Sequence, residues 1–219
     1  MRIILLLFGL LLLAATFLPH LDLAAAGMFY DPARGGFWVR DIWAAELLHE
    51  AIQYGSRLLA VVLLLMATLN RHRKAALFLL AALLIGPGLV TNTVFKDNWD
   101  RARPAQVQAF GGDKQFTPVW QPADQCEKNC SFPSGDGALG FFLHAFFYVA
   151  AAGRRRETFL WGFIGGGAIF GGLRIGMGAH FLSDVLWAGL LMLLTTALVH
   201  ALFYGMNATK TAWRDLLKR

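Results

Sequence analysis

Six stretches of the chain are apolar for long enough to cross a bilayer: residues 3–18, 50–69, 75–95, 134–152, 158–178 and 181–205. A spanning helix takes about 20 predominantly apolar residues, and within hydrocarbon it satisfies its own backbone polar groups. The pattern therefore predicts an all-α integral membrane bundle of six helices, a single domain over 1–219 with no repeat or low-complexity tract. The two long polar connections are 19–49 and 96–133. The first mixes Phe29, Tyr30, Phe37, Trp38 and Trp43 with Asp22, Asp31, Arg34, Arg40 and Asp41, the composition of a segment lying on a membrane surface. Inside the third run, Gly86-Pro87-Gly88 predicts a kink or an unwound turn.

Composition supports this reading, with 57% hydrophobic residues and only 16% charged ones. The formal charge of +6 would point to a polyanion partner if it were spread over the surface. It is not. Eleven of the 20 basic residues (Arg2, Arg71, Arg73, Lys74, Arg154, Arg155, Arg156, Lys210, Arg214, Lys218 and Arg219) fall on one side of the six-run arrangement. The positive-inside rule then puts both termini and the turns 70–74 and 153–157 in the cytoplasm, with 19–49, 96–133 and the turn before His180 outside. The expected protein is a multi-pass membrane protein whose long polar connections face outward, and the basic excess reports topology, not nucleic acid. Met1-Arg2, the first apolar run and Leu23-Ala24-Ala25-Ala26-Gly27 also resemble a cleavable secretory signal, but the long run followed directly by Pro19-His20 favours a retained helix.

The candidate chemistry lies on the outer side. Arg174, His180 and Asp184 stand between two apolar runs, where a charge costs roughly 2.5–3.5 kcal/mol to hold at the hydrocarbon edge. A helix starting near His180 would set Asp184 at i+4 on the same face, able to accept a hydrogen bond from one imidazole nitrogen and leave the other free to attack. Pro133-Ser134-Gly135-Asp136 opens the fourth run, and a helix start with exposed N–H groups, a hydroxyl donor and a glycine is an anion site. Lys96 and Arg103 add cations. Several cations and N–H donors beside a nucleophile held by a carboxylate suit a phosphate. Nothing indicates a nucleotide, and with no P-loop and no plausible metal cage no cofactor or metal is expected. Cys126 and Cys130, the only two cysteines, lack further zinc ligands nearby and leave two options, a short disulfide or a pair of free thiols.

Lys96-x6-Arg103-Pro104, Pro133-Ser134-Gly135 and Arg174-x5-His180-x3-Asp184 together resemble the three-part signature of the type 2 phosphatidic acid phosphatase (PAP2) superfamily. The resemblance covers residues 96–184, and the six-run layout extends it across nearly the whole chain. It implies a lipid phosphate monoesterase with His180 as the nucleophile that becomes a phosphohistidine. It further implies Asp184 as the orienting partner, and Lys96, Arg103, Ser134, Gly135 and Arg174 as the phosphate cradle. Cys130-Ser131-Phe132 and an acidic residue after Ser-Gly also resemble the lipid A phosphatase branch, in particular its 4′-phosphatase-like members.

Two departures stand out. Leu173 replaces the serine that usually precedes the arginine of the third motif, and Asp136 replaces the histidine that ends the second and protonates the leaving alkoxide. Three readings of Asp136 follow: general acid, activator of water, or mark of an impaired enzyme. Undecaprenyl pyrophosphate and phosphatidylglycerophosphate are alternative substrates. A vanadate-dependent haloperoxidase is disfavoured by the six spans, and a non-catalytic lipid-binding protein is the remaining alternative.

Overall fold

A computed structural model describes residues 1–69 and 72–218. The basic residues Arg71 and Arg219, used above for topology, lie outside the described residues. Every predicted apolar run is helical. Helix α1 (Arg2–Phe17) turns by 103° into the short α2 (His20–Gly27). A two-stranded antiparallel hairpin follows, β1 (Tyr30–Asp31) with β2 (Gly36–Phe37), in which Tyr30 pairs with Phe37. Helix α3 (Trp43–Leu69) begins seven residues earlier than its apolar run, so the end of the expected surface segment is helical instead. Helix α4 covers Arg73–Phe95 and α5 covers Gly135–Phe142, continued by Leu143–Ala145 and Phe146–Val149. Then come α6 (Ala152–Gly176), α7 (Leu182–Tyr204) and a terminal α8 (Met206–Leu217).

Helices α3, α4, α6 and α7 are each long and apolar enough to cross a membrane, and α1 qualifies together with α2 as a bent span. The fourth run is shorter than a full crossing, and it is the innermost: Ala138, Phe141, Phe142, Ala145 and Phe147 are all buried. By contrast α1 and α3 expose Leu6, Leu10, Leu58, Val61 and Leu64, a large apolar surface that lipid covers in a membrane protein. The fold is an all-α integral membrane bundle.

Two local features fix how close the site-bearing helices approach. Helices α5 and α6 cross at Gly140 and Gly166, where a Cβ on Gly140 would stand 2.3 Å from the Gly166 carbonyl oxygen. Small residues permit this backbone contact, a device suited to membranes, where apolar burial alone does not drive helices together. In α4 the expected disturbance at Gly86-Pro87-Gly88 takes the form of a π-helix from Leu84 to Phe95. Pro87 has no N–H to donate, so the regular ladder is broken there. The Asn92 side chain donates to the Pro87 carbonyl at 2.8 Å. This stretch delivers Asn92 and Lys96 to the end of the bundle where α5 begins.

Candidate active site

Lys96, Arg103, Gly135, Asp136, Arg174 and His180, far apart in sequence, line one cavity of about 290 Å³ at the end of the bundle where α4, α5 and α6 meet the start of α7. The cations come from three places: Lys96 just past the π-helical end of α4, Arg103 from the following loop, and Arg174 from the last turn of α6. Burial, and then the charges of Arg103 and Arg174, push Lys96 down to about 8. Arg103 is held by the Asn129 carbonyl, which accepts from Nε at 3.2 Å and from Nη2 at 2.7 Å. Next to Asn129, Cys126 and Cys130 form a disulfide, which decides between the two options for the cysteines.

Gly135 is the first residue of α5 and faces the cavity directly: a Cβ there would lie 3.2 Å from Asn92 Oδ1 and 3.5 Å from Lys96 Nζ. Ser134 is the N-cap, its Oγ accepting from the Gly137 N–H at 3.1 Å. That bond uses the oxygen as acceptor and leaves the hydroxyl proton for another partner.

His180 is not on a helix. It precedes the N-cap Phe181 of α7, so the i+4 geometry expected with Asp184 does not arise. Its Nδ1 lies 2.6 Å from the Ser131 carbonyl. A carbonyl only accepts, so Nδ1 carries the proton and Nε2 keeps its lone pair. Burial, reinforced by Lys96, Arg103 and Arg174, pushes His180 well below its ordinary value and keeps the imidazole neutral. This is the protonation state a nitrogen nucleophile needs.

Asp184 therefore corrects an expectation, since it makes no hydrogen bond to His180 among those described. It sits at the third position of α7, where one oxygen accepts from the Phe181 N–H at 2.8 Å and from the Ser131 hydroxyl at 2.6 Å. The other oxygen meets Arg101 Nη1 at 2.5 Å. Asp184 thus fixes Ser131, and Ser131 fixes the imidazole. Arg101, fully buried, also donates to Asp22 at 2.8 Å, and its guanidinium lies 4.4 Å over the Phe181 ring. Asp22 in turn accepts from the backbone and hydroxyl of Ser183. The polar knot Asp22–Arg101–Asp184 ties α2 and the loop that follows α4 to the start of α7.

Asp136 faces the cavity with both oxygens engaged. One lies 2.6 Å from His49 Nδ1 and 3.1 Å from Arg174 Nε; the other accepts from the Gln53 amide. Sequence reasoning missed His49, Gln53, Arg101 and Ser131. For the first two a signal existed, a polar pair at i, i+4 near the start of an apolar helix.

An all-α membrane bundle that gathers three cations, a helix start and a neutral imidazole around one cavity defines an integral membrane phosphatase. The chain belongs to the PAP2 superfamily, whose model matches residues 75–207. It is 37% identical over 195 residues to the lipid A 4′-phosphatase of Francisella tularensis subsp. novicida (strain U112), covering 85% of this chain and 87% of that one. It is 34% identical over 196 residues to the lipid A 4′-phosphatase of Rhizobium leguminosarum, covering 81% and 80%. With the protein of the same name from Rhizobium etli it shares 33% over 192 residues, covering 81% and 73%. No solved structure matches the chain. It is a multi-pass membrane protein and a PAP2-type lipid phosphatase, a phosphoric monoester hydrolase.

Proposed function

We propose that this enzyme hydrolyses a phosphomonoester on lipid A at the periplasmic face of a bacterial inner membrane, through a phosphohistidine on His180 and without a metal. The observation that carries the reading is the imidazole of His180, its Nδ1–H committed to the Ser131 carbonyl and its Nε2 left for a cavity shared with Lys96, Arg103 and Arg174. The three cations neutralise a phosphoryl group as charge builds on its equatorial oxygens, and the amides at the start of α5 add donors. Nε2 attacks phosphorus, the alcohol leaves, and water hydrolyses the phosphohistidine.

Lipid A is favoured because three relatives of similar length carry the name lipid A 4′-phosphatase. The periplasmic assignment rests on charge. Arg2, Arg156 and Lys218 line one cavity together with Met1 and Leu217, at the far end of α7 from His180. The 23 residues of α7 put about 34 Å between the two ends. By the positive-inside rule the basic end is cytoplasmic.

The experiment is phosphate release by the purified enzyme from lipid A, undecaprenyl pyrophosphate and phosphatidylglycerophosphate, with EDTA present. Release from lipid A with its 4′-phosphate lost by mass spectrometry is the expected result. Release only from another lipid overturns the substrate, and loss of activity with EDTA overturns the metal-free route.

A further inference from the structure

An alkyl or sugar alkoxide is too basic to leave unprotonated, so the first step needs a proton donor at the oxygen that bridges phosphorus to the lipid. Asp136 is badly placed for that duty. Its two oxygens accept from His49 and Gln53 and lie against Arg174, an arrangement that uses the carboxylate as an acceptor. The group it holds is better suited. His49 projects from α3 with Nδ1 2.6 Å from Asp136, so Nε2 is the nitrogen left for a ligand.

His49 also lies at the junction of two spaces. It lines the phosphate cavity and, with Arg103, Asn129 and Arg174, a neighbouring polar cavity of about 440 Å³ that continues to Arg40, Gln106 and Lys128. A phosphate in the first cavity and a polar, sugar-like alcohol in the second would be joined by one bridging oxygen, at the boundary His49 occupies. Asp136 and Gln53 hold the ring from behind, one fixing its tautomer and the other fixing the carboxylate.

We infer that His49 is the general acid of this phosphatase, with Asp136 as its positioning residue, an assignment that rests on the proposed function above. In the first step the His180 Nε2–phosphorus bond forms while the phosphorus–oxygen bond to the alcohol breaks. The His49 imidazolium gives its Nε2 proton to the departing oxygen, which leaves as a neutral alcohol. In the second step water attacks phosphorus and passes a proton back to His49 Nε2. The phosphorus–nitrogen bond breaks, His180 regains its lone pair and phosphate departs. Protons and charge balance over the cycle, and no further reactant is required.

Leaving-group dependence tests this on the full-length enzyme in detergent. Decyl phosphate needs a proton for its alkoxide, whereas p-nitrophenyl phosphate releases a stable phenolate. A general acid contributes about 10²–10⁴-fold. His49→Gln should therefore lower the ratio of decyl to p-nitrophenyl turnover by about 100-fold or more. Asp136→Asn should move the same ratio in the same direction by about tenfold, and it serves as the test if the His49 variant does not fold. His180→Ala should lose both activities together. A wild-type-like ratio in His49→Gln, or in Asp136→Asn where only that variant folds, overturns the assignment of the acid alone. A wild-type enzyme that releases phosphate from neither compound nor from any lipid overturns the phosphatase mechanism and this inference with it.

Discussion

Asp184 acts on His180 through Ser131: the carboxylate accepts from the Ser131 hydroxyl at 2.6 Å, and the carbonyl of the same serine accepts from His180 Nδ1 at 2.6 Å. One residue relays position from a buried ion pair to the imidazole. The carbonyl fixes the tautomer by itself, while the carboxylate fixes the carbonyl.

Ser131→Ala keeps that carbonyl and loses only its tether. Its kcat should fall by about tenfold, roughly 1.4 kcal/mol, with KM little changed. Steady-state kinetics on one lipid phosphate reads this out. A fall as large as that of His180→Ala would mean that the hydroxyl itself takes part in the chemistry.

Asp184→Asn should lose both activity and stability, because it leaves the fully buried Arg101 with one carboxylate in place of two. Breaking a buried pair costs about 3–5 kcal/mol. The expected outcome is a lower Tm in detergent, measured by intrinsic fluorescence, together with a kcat loss larger than that of Ser131→Ala. A stable, inactive variant would instead point to direct catalysis by Asp184.

Lys96 gives the site an alkaline limit. With its ammonium pushed down to about 8 by burial and by its cationic neighbours, the free enzyme loses one of the three positive charges lining the cavity as pH rises through that value. KM should rise between about pH 8 and 9.5, and Lys96→Arg, which keeps its charge, should flatten the rise. A pH–KM profile identical in the two proteins would assign the limb to another group.

Gly140→Ala probes the helix crossing that brings α5 to α6. Its Cβ would fall 2.3 Å from a backbone carbonyl that cannot move aside cheaply. Overpacking of this kind costs about 1–3 kcal/mol, so Tm should drop and the start of α5 should shift relative to Arg174. Unchanged stability would show that the two helices can separate at no cost.

Much of the fold was legible because apolar runs of spanning length admit few structures, and each of the six proved helical. The three motif clusters were legible for a related reason: Lys96, Arg174 and His180 are costly at a hydrocarbon edge unless they share a ligand. Other parts depended on the third dimension. The run beginning at Ser134 is apolar because protein surrounds it, which composition does not distinguish from a lipid-facing span. The Asp184–His180 contact was inferred from helical spacing, yet α7 starts only at Leu182 and the loop turns the imidazole toward Ser131. Asp22 and Arg101 read as ordinary loop and surface charges until α2 folds across the bundle end and buries them. His49 was hidden by a boundary: α3 begins at Trp43, and only this extension makes His49 and Gln53 one helical turn facing Asp136.

The most direct test of the central claim is mass spectrometry of the enzyme quenched into base during turnover of lipid A, which preserves phosphohistidine. The phosphohistidine route puts a phosphoryl group on the peptide containing His180, absent from His180→Ala, which should also release no phosphate. Steady phosphate release by His180→Ala, or a phosphoryl group trapped on a different side chain, would contradict it.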